Sequence, residues 1–140
     1  MQVMDLLGTS LYELHRFCNF KFSLKTTLML TEQLLARLEW VHGRGVLHND
    51  IKPLNFTMGV GTNVRIAMPR CVFVACCPSH SMDLGLTEQA TKVYLIDFGL
   101  ATRLEVDPTT GQYKPQTSGG FKIKGTRAFQ SPRAHSVRYD

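Results

Sequence analysis

The chain has 140 residues, 44% of them hydrophobic and 19% charged, with a formal net charge of +5. This is enough for one domain with a real core and an ordinary globular balance. No block of five like charges forms, so no dedicated polybasic arm is visible. The excess charge favours anionic partners or is a solvated basic surface. No apolar run approaches the roughly 18 residues of a membrane span, and "MQVMDLLG" lacks the basic start of a signal peptide. The expectation is a soluble intracellular protein, cytoplasmic, nuclear or both, without a membrane or a specific nucleic acid as partner. In that setting Cys18, Cys71, Cys76 and Cys77 are expected as thiols.

In chain order, "MQVMDLLG" reads as a short strand-like run that stops at Gly8. "SLYELHRFC" reads as a short helix with Ser10 as its N-cap. "SLKTTLMLTEQLLARLEWVHGRG" is the strongest helical pattern. Leu24, Leu28, Thr31, Leu35, Leu38 and His42 step along one face, and Leu30, Leu34 and Val41 widen the stripe. Ser23 is the expected cap, and Gly43 and Gly45 end the helix. Val46–Leu47 and Phe56–Met58 are brief apolar runs around a polar loop in which Pro53 opposes helix. Val93 to Ile96 reads as a buried strand ending at Asp97. Residues 62–85 show no period and hold three of the four cysteines, and "EVDPTTGQYKPQTSGGFKIKG" reads as a long, mobile loop.

The chemistry concentrates in "HNDIKPLN" and "DFG". Phosphoryl transfer needs an acid that orients the attacking hydroxyl, a cation beside the moving phosphate, and hard oxygen ligands for Mg²⁺. Asp50 can be the base, Lys52 the cation, and Asn55 and Asp97 the metal ligands; Gly99 lets the backbone turn after Asp97. The bland reading makes Asp50 and Asp97 turn residues. Both motifs in this order, separated by an apolar strand, form the protein-kinase signature of catalytic loop followed by magnesium loop.

Five stretches carry a closer likeness: "MDLLGTSLYEL", "FSLKTTLMLTEQLLARLEWVH", "HNDIKPLNFTMGVG", "KVYLIDFGLA" and "GTRAFQSPRAH". Together they resemble the casein kinase 1 family of serine/threonine protein kinases, over most of residues 1–61 and 86–135. The resemblance implies an α+β, protein-kinase-like fold. It corresponds to a partial C-terminal lobe over residues 1–140, mainly helical, with short β-hairpins around the catalytic and magnesium loops. It further implies ATP and Mg²⁺ as cofactors and protein substrates, acidic or pre-phosphorylated ones among them. Met4 then matches the gatekeeper of the adenine pocket, while Asp5 and Leu7 offer backbone groups to the adenine edge. Asp50 matches the catalytic base, Lys52 the phosphate-contacting lysine, and Asn55 and Asp97 the metal ligands; Phe98 is expected to pack behind the site.

The chain departs from the family at several points. Asn49 stands where the family has an arginine able to pair with the activation segment, which implies weaker control of the loop with the base intact. Leu54 replaces an Asp, and Thr57 replaces the apolar floor of the adenine site. Arg127-Ala128 inverts the family's order, and Arg133 stands in place of Asn. Asn55 and Asp97 are 42 positions apart, against about 16 to 18 in the family pattern. Removing residues 62–85 restores that spacing. The segment reads as a retained intron or gene-model error, a genuine disordered insert, or a zinc clip built from Cys71, Cys76, Cys77 and His80. No G-x-G-x-x-G occurs in the 140 residues. The chain therefore reads as the middle of a kinase, truncated at both ends and inactive alone, with Leu-rich helix surface left uncovered. The competing readings are a catalytically dead, pseudokinase-like binding fragment and an unfolded translation product.

Overall fold

The computed structural model describes residues 5–60, 91–107, 109–113, 124–132 and 134. The chain forms two compact units, residues 1–37 with 53–96, and residues 38–52 with 97–140. Among the described residues the regular elements are two α-helices, two antiparallel pairs of short strands and three 3₁₀ turns.

In the first unit, α1 spans Leu11–Phe17. Ser10 caps it reciprocally: its hydroxyl accepts from the Glu13 amide, and the Glu13 side chain accepts from the Ser10 amide. Two of the donors that a helix start leaves unpaired are thereby satisfied. Leu11 and Leu14, three apart on one face, are buried; α1 packs on the 3₁₀ turn Pro53–Asn55 and on β2 (Phe56–Met58). Asn19 and Phe20 end the helix in left-handed conformation, and the Phe20 amide donates to His15 carbonyl at 2.8 Å. The His15 ring, 5.6 Å from Phe20 and 4.9 Å from Phe22, holds this costly turn.

β2 pairs antiparallel with β3 (Val93–Leu95), in the register Phe56↔Leu95, Thr57↔Tyr94 and Met58↔Val93. Residues 62–85 therefore fall within the connection of an antiparallel pair, where extra chain is best tolerated. The segment itself, with Cys71, Cys76, Cys77 and His80, lies outside the described residues. On the other side of β2, the Gly8 amide donates to Met58 carbonyl, the Met58 amide donates to Thr9 carbonyl, and Ser10 bridges Thr57. Of the strand-like run expected up to Gly8, residues 1–4 lie outside the described residues; residues 5–9 lie in no strand, and the pairing seen among the described residues involves residues 8–10. A Cβ on Gly8 would meet the Met58 and Gly59 carbonyl oxygens at 3.1 Å, so a side chain here would require the strand backbone to give by a few tenths of an ångström.

α2 spans Leu24–His42, with Ser23 accepting from the Thr26 amide as expected and Gly45, at φ 68°, turning the chain after it. The buried line is Thr26, Leu30 and Val41, flanked by half-buried Gln33, Leu34 and Leu38. The expected first row is largely outside: Leu24, Leu28 and Leu35 are 60–75% exposed. The reason lies at the free edge of β3. Gln33 donates to Thr91 carbonyl and accepts from the Val93 amide, and Arg37 Nε donates to Val93 carbonyl. An unpaired strand edge needs such partners, and meeting them turns the face of Gln33 and Arg37 toward β3. Leu11, Leu14, Leu30, Phe56, Met58 and Val93 form the apolar interior of this unit.

In the second unit, β1 (Val46–Leu47) pairs antiparallel with β4 (Thr102–Arg103). The Leu104 amide continues the pairing onto Gly45 carbonyl at 2.7 Å. Val106 bridges Tyr113 around a turn in which Asp107 accepts from Thr109, and Tyr113 hydroxyl donates to His42 carbonyl. Part of the loop expected to be mobile is thus a small hydrogen-bonded hairpin; residues 114–123 lie outside the described set.

Candidate functional site

The loop between β1 and β2 turns on two features. His48 is 1% exposed, and its Nδ1 accepts from the Asp50 amide at 3.3 Å. Asn49 adopts φ 65°, a left-handed conformation that Asn tolerates better than most residues. The turn presents Asp50 to a cluster of donors. Lys52 Nζ lies 2.6 Å from Asp50 Oδ2, while the amide and hydroxyl of Thr126 donate to Oδ1 at 2.7 and 2.8 Å. Lys52 Nζ also donates to Thr126 Oγ1 at 2.9 Å, closing a three-residue ring of hydrogen bonds.

Asp50 is 7% exposed, covered by its immediate partners rather than sunk in a deep core. Burial works to raise its carboxyl. The bonds from Lys52 and Thr126, with the Lys52 charge, outweigh that and hold it down at about 2, against an ordinary 3.8. Asp50 is therefore ionised at neutral pH. Both its oxygens are engaged, so a substrate hydroxyl must displace or share one of these donors before Asp50 can orient its proton.

Thr126 is the contact of Asp50 that the sequence did not single out. The sequence points instead to the neighbouring Arg127, which is exposed in the 3₁₀ turn Arg127–Phe129. The available signal was Gly125: its φ of 86° and its closeness to Asn49 carbonyl, which a Cβ would overlap, require glycine just before Thr126. Gln130 fixes this corner, its Nε2 donating to the carbonyls of Lys124 and Gly125.

Asp97 lies in the same unit, in left-handed conformation at φ 63°, and heads the 3₁₀ turn Phe98–Leu100. Its carboxylate is exposed, with Oδ1 accepting from the Gly99 amide at 3.3 Å. Phe98 does not pack as deeply as expected: it is 43% exposed, its ring 4.8 Å from that of His48. Asn49, expected to leave the loop less controlled, makes two bonds of its own. Its Nδ2 donates to Leu100 carbonyl at 2.9 Å and to Thr102 Oγ1 at 2.8 Å, so a neutral amide ties the loop where a charged pair was missed.

The remaining site residues belong to the first unit. Asn55 is buried at the end of its 3₁₀ turn, and its carbonyl accepts from the Ile96 amide. Thr57 is 6% exposed, and its hydroxyl has no hydrogen-bond partner among the described residues, a polar group in a floor expected to be apolar. Asp5 is exposed and Leu7 half-buried; Met4 and Arg133 lie outside the described residues. Cys18 carries a thiol rather than a disulfide.

The amide oxygen of Asn55 and the exposed carboxylate of Asp97 are hard donors whose chemistry suits Mg²⁺. No group of three or more His, Cys, Asp or Glu residues that could hold a metal occurs among the described residues. No described helix is long and apolar enough to cross a membrane. No known family model matches the chain.

Proposed function

We propose that the chain is part of a serine/threonine protein kinase of casein kinase 1 type, which transfers the γ-phosphate of ATP to hydroxyls of protein substrates. The observation that carries this reading is the ring joining Asp50, Lys52 and Thr126, with Asp97 in a tight turn of the same unit. Lys52 sets its positive charge beside Asp50 and can turn it toward a phosphate, and Thr126 keeps the carboxylate aimed. Asp50 orients the attacking hydroxyl and accepts its proton late. Asn55 and Asp97 are the residues that would hold Mg²⁺, which would supply positive charge to the ATP phosphates. Met4, Asp5 and Leu7 are assigned to the adenine, and the substrates are proteins, with acidic or pre-phosphorylated segments among them.

The 140 residues alone are expected to transfer little or no phosphate, because they contain no glycine-rich phosphate loop. The test joins the chain behind a glycine-rich ATP-binding lobe and measures phosphate incorporation into an acidic protein. Transfer is expected, falling about 10²-fold or more in Asp50→Asn. Transfer that survives this substitution, or its absence from the joined protein, would sink the reading. The unpartnered hydroxyl of Thr57 favours a second reading, a pseudokinase-like fragment that binds a partner without catalysis. That reading requires saturable partner binding that Asp50→Ala leaves intact.

A further inference from the structure

Two other segments of the second unit, residues 100–102 and 125–126, converge on the Asn49–Asp50 turn. The Asn49 side chain spans to residues 100–102, its carbonyl rests against Gly125, and its neighbour Asp50 takes both donors of Thr126. The carboxamide has two N–H donors, and the two acceptors, Leu100 carbonyl and Thr102 Oγ1, match that number. Leu100 closes the 3₁₀ turn that Asp97 heads, and Thr102 pairs with Leu47 in β4. The Asn49 side chain therefore extends the β1–β4 pairing past the end of β1. In doing so it links the Asp50 loop to the Asp97 turn.

We infer that Asn49 is a positioning residue: it fastens the Asp50 loop to residues 100–102 without charge and so keeps Asp50 in contact with Thr126. Its place in phosphate transfer rests on the kinase reading; the fastening does not. Three details support it. The left-handed backbone at Asn49 aims the amide at residues 100–102 and is one that a long charged side chain adopts poorly. The same turn pushes the Asn49 carbonyl toward Gly125, which carries no Cβ to obstruct it. Both bonds are neutral, so neither screening salt nor a charged group on the facing segment is needed to maintain them.

The test is amide hydrogen exchange, followed by NMR, in the 140-residue chain and two variants. Asn49→Asp keeps the shape and removes the donors; Asn49→Gly keeps the left-handed backbone and removes the side chain. In the unaltered chain, Thr126 amide protection is expected to hold between about 0.05 and 0.5 M salt. Both variants are expected to speed Thr126 exchange about tenfold, with the Leu14 and Val93 amides unchanged. If Asn49→Asp fails to fold, Asn49→Gly decides alone. Wild-type protection of Thr126 in Asn49→Gly would overturn the inference, since the backbone turn would then suffice. Equal loss of protection at Leu14, Val93 and Thr126 would also overturn it, as that marks general destabilisation. A chain that shows the expected exchange pattern but transfers no phosphate when joined to an ATP-binding lobe refutes the kinase reading and leaves the fastening standing.

Discussion

The two units are stabilised by different physics. In the first, six apolar side chains are buried among the described residues: Leu11, Leu14, Leu30, Phe56, Met58 and Val93. In the second, Val41 is the one buried hydrophobic among the described residues, alongside buried His48 and Asp50. Apolar burial is non-directional and roughly proportional to area, so it makes a tolerant scaffold. A buried carboxylate with three specific donors is directional, and a single lost partner leaves a charge uncompensated. The unit holding the candidate acid is thus organised by hydrogen bonds whose geometry matters to a few tenths of an ångström. The other unit supplies packing.

Substitutions can break or sharpen this contrast. The largest effect is expected from Met58→Ala, which truncates a side chain that is 1% exposed in the apolar interior. A loss of about 2–5 kcal/mol in urea unfolding is expected; a loss under about 1 kcal/mol would mean this interior is not close-packed.

Acid is expected to act on the second unit. Because the Asp50 carboxyl is depressed from 3.8 to about 2, its contribution to stability is complete above the ordinary value and disappears as pH falls through about 2. Lys52→Met removes the first of the bonds that lower it and leaves burial less opposed, so the Asp50 titration should move upward. Carbon NMR of the Asp50 carboxyl measures this directly. An unmoved midpoint would show that Thr126 alone sets the charge.

The smallest effect is expected on the outer face of α2. Leu35 is 61% exposed, so Leu35→Gln should change stability by no more than about 0.5 kcal/mol in thermal unfolding. A larger loss would mean that Leu35 is covered in solution.

Much of this was legible in the sequence. Ser10 and Ser23 announced their helices because caps act over three residues, and the runs at Val46–Leu47 and Phe56–Met58 became β1 and β2 with the expected bounds. The nearness of Lys52 to Asp50 was legible too, since they stand two positions apart in one loop, but their ion pair was not expected: the sequence assigned Lys52 to a phosphate. The exposed face of α2 was not legible. Two leucine rows compete on that helix, and the choice depends on Gln33 and Arg37 reaching the edge of β3 about 60 residues away. The contact of Thr126 was missed for a similar reason: Thr126 lies in the quoted stretch "GTRAFQSPRAH", but its partner lies 76 positions earlier and nothing local identifies it.

The sequence by itself determined what is local: the caps, the strand runs, and the placing of an acid and a lysine two residues apart. The tertiary structure decided which leucines are covered, that a neutral amide at position 49 binds residues 100–102, and that Thr126 closes the ring around Asp50. The physical reason is one of range. Capping and turn preferences are set within a few residues. Satisfying a buried carboxylate or an unpaired strand edge requires donors that only the folded chain brings within about 3 Å.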